Sequence, residues 1–396
     1  MRNTRQKPKV CRVTRREFDA LDAPKRIVVK IGTSTLTDPQ GGMDRGFIAD
    51  LAAQIAVLRQ QGRDVLLVSS GAIQAGKETL PQLLDTHHAR NSNGLPFKQA
   101  CAAIGQGVLM HIYQEAFAWR KVQCAQILLT RDDLGDRRRF LNARNTLQTL
   151  LELGVVPIIN ENDTVAVDEI KFGDNDTLAA LVATLVEADL LIILSDIDGL
   201  YDRAPNLPDA KILRTVSRID SEIAALGGDT KSGIGTGGMR TKIEAARIAL
   251  SAGIRTVIAH GRGEKILAEV TSGAEVGTTF LPCDTDRLSA RKRWIAHSPR
   301  SHGAVIVNAK AKEKLCERGV SLLAAGIVSV SGAFSAGDLV EFCDESGNVF
   351  GRGLVNYAAV EVRRVLGLRS EQFEAVLGYR GFDEIIHRDN LVIERE

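Results

Sequence analysis

Short apolar runs recur along the first two-thirds of the chain, at 27–31, 65–68, 126–129, 155–159, 190–194 and 255–259, each bounded by turn-forming residues. They are apolar at successive positions, the pattern of strands buried on both faces. Between them the spacing changes. Ile48, Leu51, Ile55 and Leu58 follow the i, i+3, i+7 rhythm of a one-sided helix, which predicts a helix over 48–61. Helical periodicity recurs over 140–153, 177–188 and 239–252. Strands alternating with helices predict an α/β fold around a mostly parallel sheet, with ligands held beyond the carboxyl ends of the strands. The loops after those six runs are therefore the places to search for chemistry.

Near 282–299 the pattern stops. A basic stretch ending at Trp294 is followed by short runs with glycine punctuation at 304–307, 327–331, 339–343 and 349–355, which predict a small, separate β-rich domain. The expected division is a basic extension over 1–24, a catalytic domain over 25–282, a basic linker over 283–300 and a second domain with its tail over 301–396.

Composition adds limits. The 396 residues carry 51 Lys and Arg against 49 Asp and Glu, a formal charge of +2. That total hides blocks: +6 over 1–26, −6 over 27–286, +5 over 287–300 and −3 over 301–396. The −3 of the last block argues against nucleic acid, whose binders usually show a basic stripe. No apolar run reaches the roughly 18 residues of a membrane helix. The basic head has no apolar core of a secretory signal and is expected to be a disordered tail. Six cysteines are scattered without a C-x-x-C pair, which fits neither a zinc site nor a disulfide frame and suits a cytoplasmic protein.

The loops themselves are rich. After the first run stands Lys30-Ile31-Gly32-Thr33-Ser34, where amides, hydroxyls and an ammonium could hold a phosphate. Ser69-Ser70-Gly71-Ala72 follows the second run, suited to an anion at a helix N-terminus or simply to N-capping. Two polar clusters, Asn160-Glu161-Asn162-Asp163-Thr164 and Gly173-Asp174-Asn175-Asp176-Thr177, suit an amino acid's charged ends or a pair of lysines. They would equally make Asx-rich turns. The fifth run ends in Ser195-Asp196. Residues 232–242 satisfy G-x-G-x-x-G through Gly233, Gly235 and Gly238, but a polar stretch precedes them instead of the strand that a dinucleotide-binding turn requires. What remains is a glycine loop feeding a helix N-terminus with Lys242 on its first turn, apt for a phosphoryl group.

In this order the segments VVKIGTS, VSSGAI, INENDTV, KFGDNDTLAA, LSDIDGLY and GTGGMRTK, with FLNARNTL at 140–147, resemble the amino acid kinase family, and in particular its members that phosphorylate glutamate. The RKRWI linker and the segments ERGVSLLAAGI and SGAFSAGDLVEF extend the likeness, the latter two being similar to a PUA domain. Residues of about 25–390 are covered. The resemblance implies a three-layer α/β/α sandwich and ATP-dependent phosphorylation of the γ-carboxylate of L-glutamate, the first step of proline biosynthesis. It further implies Mg²⁺, inhibition by proline, and a homo-oligomer (dimer or tetramer). By the same likeness Lys30 and Lys242 would flank the γ-phosphoryl group. Asp176, with Asp174 beside it, would hold those lysines. Ser70, Asp163 and Asn175 would bind glutamate. Ser195, Asp196, Thr236, Gly237, Gly238, Met239, Arg240 and Thr241 would bind ATP together with the two lysines. No metal-binding side chain is singled out.

The chemistry agrees. A γ-carboxylate with a pKa near ~4.3 is already ionised at neutral pH. No general base is needed, and none of the six segments from VVKIGTS to GTGGMRTK carries a histidine. Two alternatives stay open: another kinase of the same superfamily acting on aspartate, UMP or carbamate, and an RNA-binding PUA protein.

Overall fold

A computed structural model describes residues 23–79, 94–165, 175–228, 238–282, 292, 295–296, 298, 301–379 and 381–393. Along the chain run β1 (Arg26–Ile31), α1 (Thr33–Leu36), α2 (Arg45–Gln60), β2 (Asp64–Ser69), α3 (Ala72–Thr79), α4 (Leu95–Ala118) and β3 (Cys124–Leu129). Then come α5 (Arg131–Gly135), α6 (Arg137–Glu152), β4 (Val156–Glu161), α7 (Asn175–Leu185), β5 (Leu190–Ser195), β6 (Thr215–Val216) and α8 (Ser221–Ala225). The remainder of this part is α9 (Met239–Ser251), β7 (Arg255–His260), α10 (Ile266–Thr271) and β8 (Thr278–Phe280). All six apolar runs are strands, and the four periodic segments are α2, α6, α7 and α9. No described helix is long and apolar enough to cross a membrane.

The chain forms two compact units. One holds the described residues up to Thr130 and those from Arg144 to 282; the other holds Arg131–Ala143 and the described residues beyond 288. In the first, eight strands take the order β3-β4-β2-β1-β5-β7-β8-β6. The central pairs β2–β1, β1–β5 and β5–β7 are parallel, and only β7–β8 is antiparallel. Register aligns the strand ends: Ile31 lies opposite Ser69 and Leu194, and Val68 opposite Ile159. Lys30, Ser70, Asn160 and Ser195 therefore leave the sheet at nearly one level.

The two faces of β1 are covered differently. Ile27, Val29 and Ile31 join a core with Ile48, Leu51 and Ile55 of α2, Leu109 and Tyr113 of α4, and Leu267 of α10. Alternation sends Val28 and Lys30 to the opposite face, where α7 lies. This is the three-layer α/β/α arrangement.

Two glycines let α3 and α4 approach closely. A Cβ on Gly76 would sit 1.9 Å from the Cys101 carbonyl oxygen, and one on Gly105 only 1.8 Å from that of Ala72. The turn into α3 uses Gly71 at φ 103, a conformation that costs other residues strain.

The second unit has a five-stranded sheet, β10-β9-β11-β12-β13 in order. Its strands are β9 (Gly303–Val307), β10 (Ile327–Gly332), β11 (Leu339–Cys343), β12 (Val349–Leu354) and β13 (Leu391–Ile393). Four of them were the predicted runs. The core joins Val305, Phe342 and Phe350 to Tyr357 and Phe373, whose rings meet edge to face at 5.7 Å. Asn308 caps the helix α11 (Ala309–Arg318) through the Ala311 amide at 2.9 Å. Residues 1–22 of the basic extension and most of the linker lie outside the described residues.

Helix propensity favours alanine over glycine by about 1 kcal/mol. At Gly105 the backbone contact dominates. Gly105→Ala is expected to lower folding stability by about 2 kcal/mol, the scale of an overpacked core position, and urea denaturation of the variant checks the sign.

Candidate functional site

Lys30 stands one residue before the end of an apolar strand that is buried on both sides, with its side chain only 5% exposed. An ammonium there needs a counter-charge, because an isolated buried ion is strongly penalised. The sheet supplies it from α7. Asp176, fully buried in the first turn of that helix, places Oδ1 2.5 Å from Lys30 Nζ. Its position also suits the helix dipole, which favours a carboxylate at the N-terminus.

The second cation comes from α9. Gly238 occupies the N-cap without a capping side chain, and Lys242 follows in the first turn, its side chain 7% exposed. A cation at that end opposes the dipole. Asp176 Oδ2, 3.0 Å from Lys242 Nζ, offsets this. The Thr241 hydroxyl lies 2.7 Å from the Gly238 carbonyl oxygen and 3.1 Å from Asp176 Oδ2, so one proton is shared between the helix start and the carboxylate. Two ammonium groups on one carboxylate leave a net positive charge at the cluster. That is the arrangement an incoming phosphoryl group requires.

One residue earlier, Asn175 faces a second polar system. Its Nδ2 donates to Ser70 Oγ at 2.8 Å, to Asn160 Oδ1 at 3.0 Å and to the Ser69 carbonyl at 3.3 Å. Ser69 Oγ in turn meets the Tyr113 hydroxyl at 2.8 Å, and burial pushes that phenol well above the ordinary tyrosine range. Asp163 lies in the turn after β4, where burial raises its carboxyl above the usual range. At the end of β5 the Ser195 hydroxyl donates to Asp196 Oδ1 at 3.1 Å. Ser195 is buried and Asp196 exposed.

The structure thus gathers Lys30, Asp176, Thr241 and Lys242 into one hydrogen-bonded cluster, and Ser70 and Asn175 into an adjoining one. Gly238, Met239 and Arg240 open α9 beside it, with Arg240 exposed. Asp174, Thr236 and Gly237 lie outside the described residues.

Sequence reasoning passed over Gln106 and Tyr113. Both sit on α4, a helix whose hydrophobic period is weak because its exposed face carries Ala100, Ala103, Ile104 and Gly107. The available signal was Gly105-Gln106-Gly107, a polar side chain between two glycines inside an apolar stretch.

Comparison with known proteins gives concordant results. The profile of the amino acid kinase family matches residues 25–260, and that of the PUA domain matches residues 303–377. The glutamate 5-kinase of Geobacter sulfurreducens is 50% identical over 374 residues, spanning 94% of this chain and 98% of its own. That of Geobacter metallireducens is 51% identical over 370 residues, spanning 93% and 97%. The protein from Caldanaerobacter subterraneus with the same designation is 48% identical over 369 residues, spanning 93% and 97%. Among solved structures, carbamate kinase from Giardia lamblia bound to AMP-PNP aligns with a TM-score of 0.49 at 19% identity, over 66% of this chain and all of that one.

Asp163 gives a stability test. A carboxyl whose pKa is raised in the fold stabilises it below the unfolded value, and that stability is lost as pH rises through the folded value. At pH 7 the half-buried Asp163 anion therefore works against folding. Asp163→Asn is expected to melt at a higher temperature than the parent at pH 7, with the gap closing below about pH 3.9. A variant that melts lower at pH 7 contradicts this assignment.

Proposed function

The chain belongs to the amino acid kinase family, in its glutamate 5-kinase branch and with a PUA domain in its C-terminal part, and we propose that it transfers the γ-phosphoryl group of ATP to the γ-carboxylate of L-glutamate. The products are γ-glutamyl phosphate and ADP, the opening step of proline biosynthesis. The observation that carries the reading is the Lys30–Asp176–Lys242 cluster, buried at the strand ends beside an amide and hydroxyl cradle.

In this reading the cradle of Ser70 and Asn175 holds the amino acid, with Asp163 added to it by the family resemblance. Lys30 and Lys242 close on the phosphoryl group from two sides, and Asp176 keeps their ammonium groups apart and aimed. Ser195, Asp196 and the start of α9, with Gly238, Met239, Arg240 and Thr241, take the nucleotide. Asp174, Thr236 and Gly237 belong to the same proposal through the family resemblance. Because the nucleophile is already an anion, the protein's task is to bring two anions together. Placed cations, amides and a helix N-terminus stabilise the charge on a loose phosphoryl transition state.

Mg²⁺ is implied by ATP. Both oxygens of Asp176 face ammonium groups, and among the described residues no cluster of three or more His, Cys, Asp or Glu could hold a metal. The described residues do not form a metal site on their own, and none of the steps above passes through the ion. Inhibition by proline, a homo-oligomeric assembly and a cytoplasmic location complete the proposal and rest on the resemblance.

Two measurements test it. Glutamate with ATP and hydroxylamine is expected to yield the hydroxamate, with proline lowering the rate. Aspartate, UMP and carbamate are expected to give no ADP release above background. Turnover of UMP or carbamate in place of glutamate would overturn the reading. In purified Lys30→Ala and Lys242→Ala, turnover is expected to fall more than ~100-fold, the scale of losing one charge-stabilising donor, whereas near-normal rates would remove both lysines from the mechanism.

A further inference from the structure

A line of side-chain amides runs from the sheet edge to the amino acid cradle. Gln106 Nε2 donates to Gln126 Oε1 at 3.4 Å, and Asn160 Nδ2 donates to Gln106 Oε1 at 2.9 Å. Asn160 Oδ1 accepts from the Glu161 backbone amide at 2.9 Å and from Asn175 Nδ2 at 3.0 Å. An amide has one donor end and one acceptor end, so each link dictates the next. The Glu161 N–H can only donate, which makes the facing atom of Asn160 its oxygen. Asn160 Nδ2 then points at Gln106, whose facing atom must be Oε1. On the other side the Asn160 oxygen requires a donor, which turns Asn175 Nδ2 toward it. Reversing Asn175 would set its oxygen against two acceptors, Asn160 Oδ1 and the Ser69 carbonyl.

The orientation leaves one atom unspent. Asn175 Oδ1 is buried and has no hydrogen-bond partner among the described residues. A buried carbonyl in that state lacks a donor, and such groups are ordinarily satisfied. The cradle around it is the one assigned above to the amino acid, whose α-ammonium is a donor only.

We propose that Gln106 is a positioning residue: with Asn160 it locks the Asn175 amide so that Oδ1 receives the substrate's α-ammonium, which sets the preference for an α-amino dicarboxylate over the same dicarboxylate without the amino group. This rests on the glutamate-kinase reading. Gln106 reaches the site because Gly105 beside it lets α4 press against α3, and Tyr113, seven residues on, pins Ser69 from the same helix.

Glutarate, which is glutamate without its amino group, separates specificity from general damage. The experiment measures glutamate KM, ATP KM, kcat and the Ki of glutarate against glutamate. In Gln106→Met the glutamate KM is expected to rise about tenfold, the weight of one hydrogen bond left unmade in a buried site. The glutarate Ki and ATP KM should stay within about twofold. Gln106→Glu, which keeps an acceptor oxygen toward Asn160, should restore most of the loss. Gln106→Asn, too short to reach Asn160, replaces the methionine variant if that folds poorly. A glutamate KM that does not move, or that moves together with the glutarate Ki, overturns the role. A parent enzyme that fails to phosphorylate glutamate overturns the functional reading and this inference with it; a parent that succeeds confines any failure to Gln106.

Discussion

The buried carboxylate of Asp176 is what the first unit is arranged around. Neither Lys30 in an apolar strand nor Lys242 at the positive end of α9 would be stable in place alone, and both are held by its two oxygens at 2.5 and 3.0 Å. Taking one partner away from a buried ion pair costs about 3–5 kcal/mol, because the remaining charge has nothing to face. The same deficit is useful here. The cluster carries one positive charge more than it neutralises, so the site holds stored electrostatic potential that only an anion from outside relieves.

That local excess matters because the surrounding block of 27–286 is acidic by six charges. A general field of that sign repels anionic substrates. Attraction must act at short range, through groups out of water where charge interactions are screened least. Burial of Lys30 and Lys242 is thus a condition of the role proposed for them. On the surface the same two lysines would be weakened by solvent and by the acidic background.

Sheet and helices were legible to different degrees, for a physical reason. A parallel strand covered on both faces must be apolar throughout, and β1, β2, β4 and β5 stand out as runs. The helices α2 and α9 each have one wet face and show their period. Helix α4 is also one-sided, but its exposed face carries Ala100, Ala103, Ile104 and Gly107, so hydrophobicity does not follow burial there, and Gln106 and Tyr113 were lost with it. Single loops gave Lys30, Ser70, Asn175, Asp176 and Lys242 as candidates. The contact of Lys30 with Asp176 spans 146 positions, and that of Lys242 with Asp176 spans 66. Such distances in sequence are closed only by the strand order β2-β1-β5 and by α7 lying on the Lys30 face. No local pattern contains them.

The two polar systems meet on adjacent residues, Asn175 and Asp176, at the start of α7. Successive side chains on a helix diverge by about 100°, so one turn sends an amide toward the substrate cradle and a carboxylate toward the lysines. Residues 176–185 of this helix are all buried, which denies it freedom to rotate or slide. Any shift that moved the amide would move the carboxylate with it. On the proposed reading, recognition of the amino acid and placement of the two cations are therefore set by a single rigid element, and the distance between carboxylate and phosphoryl group would follow from the packing of α7 on the sheet.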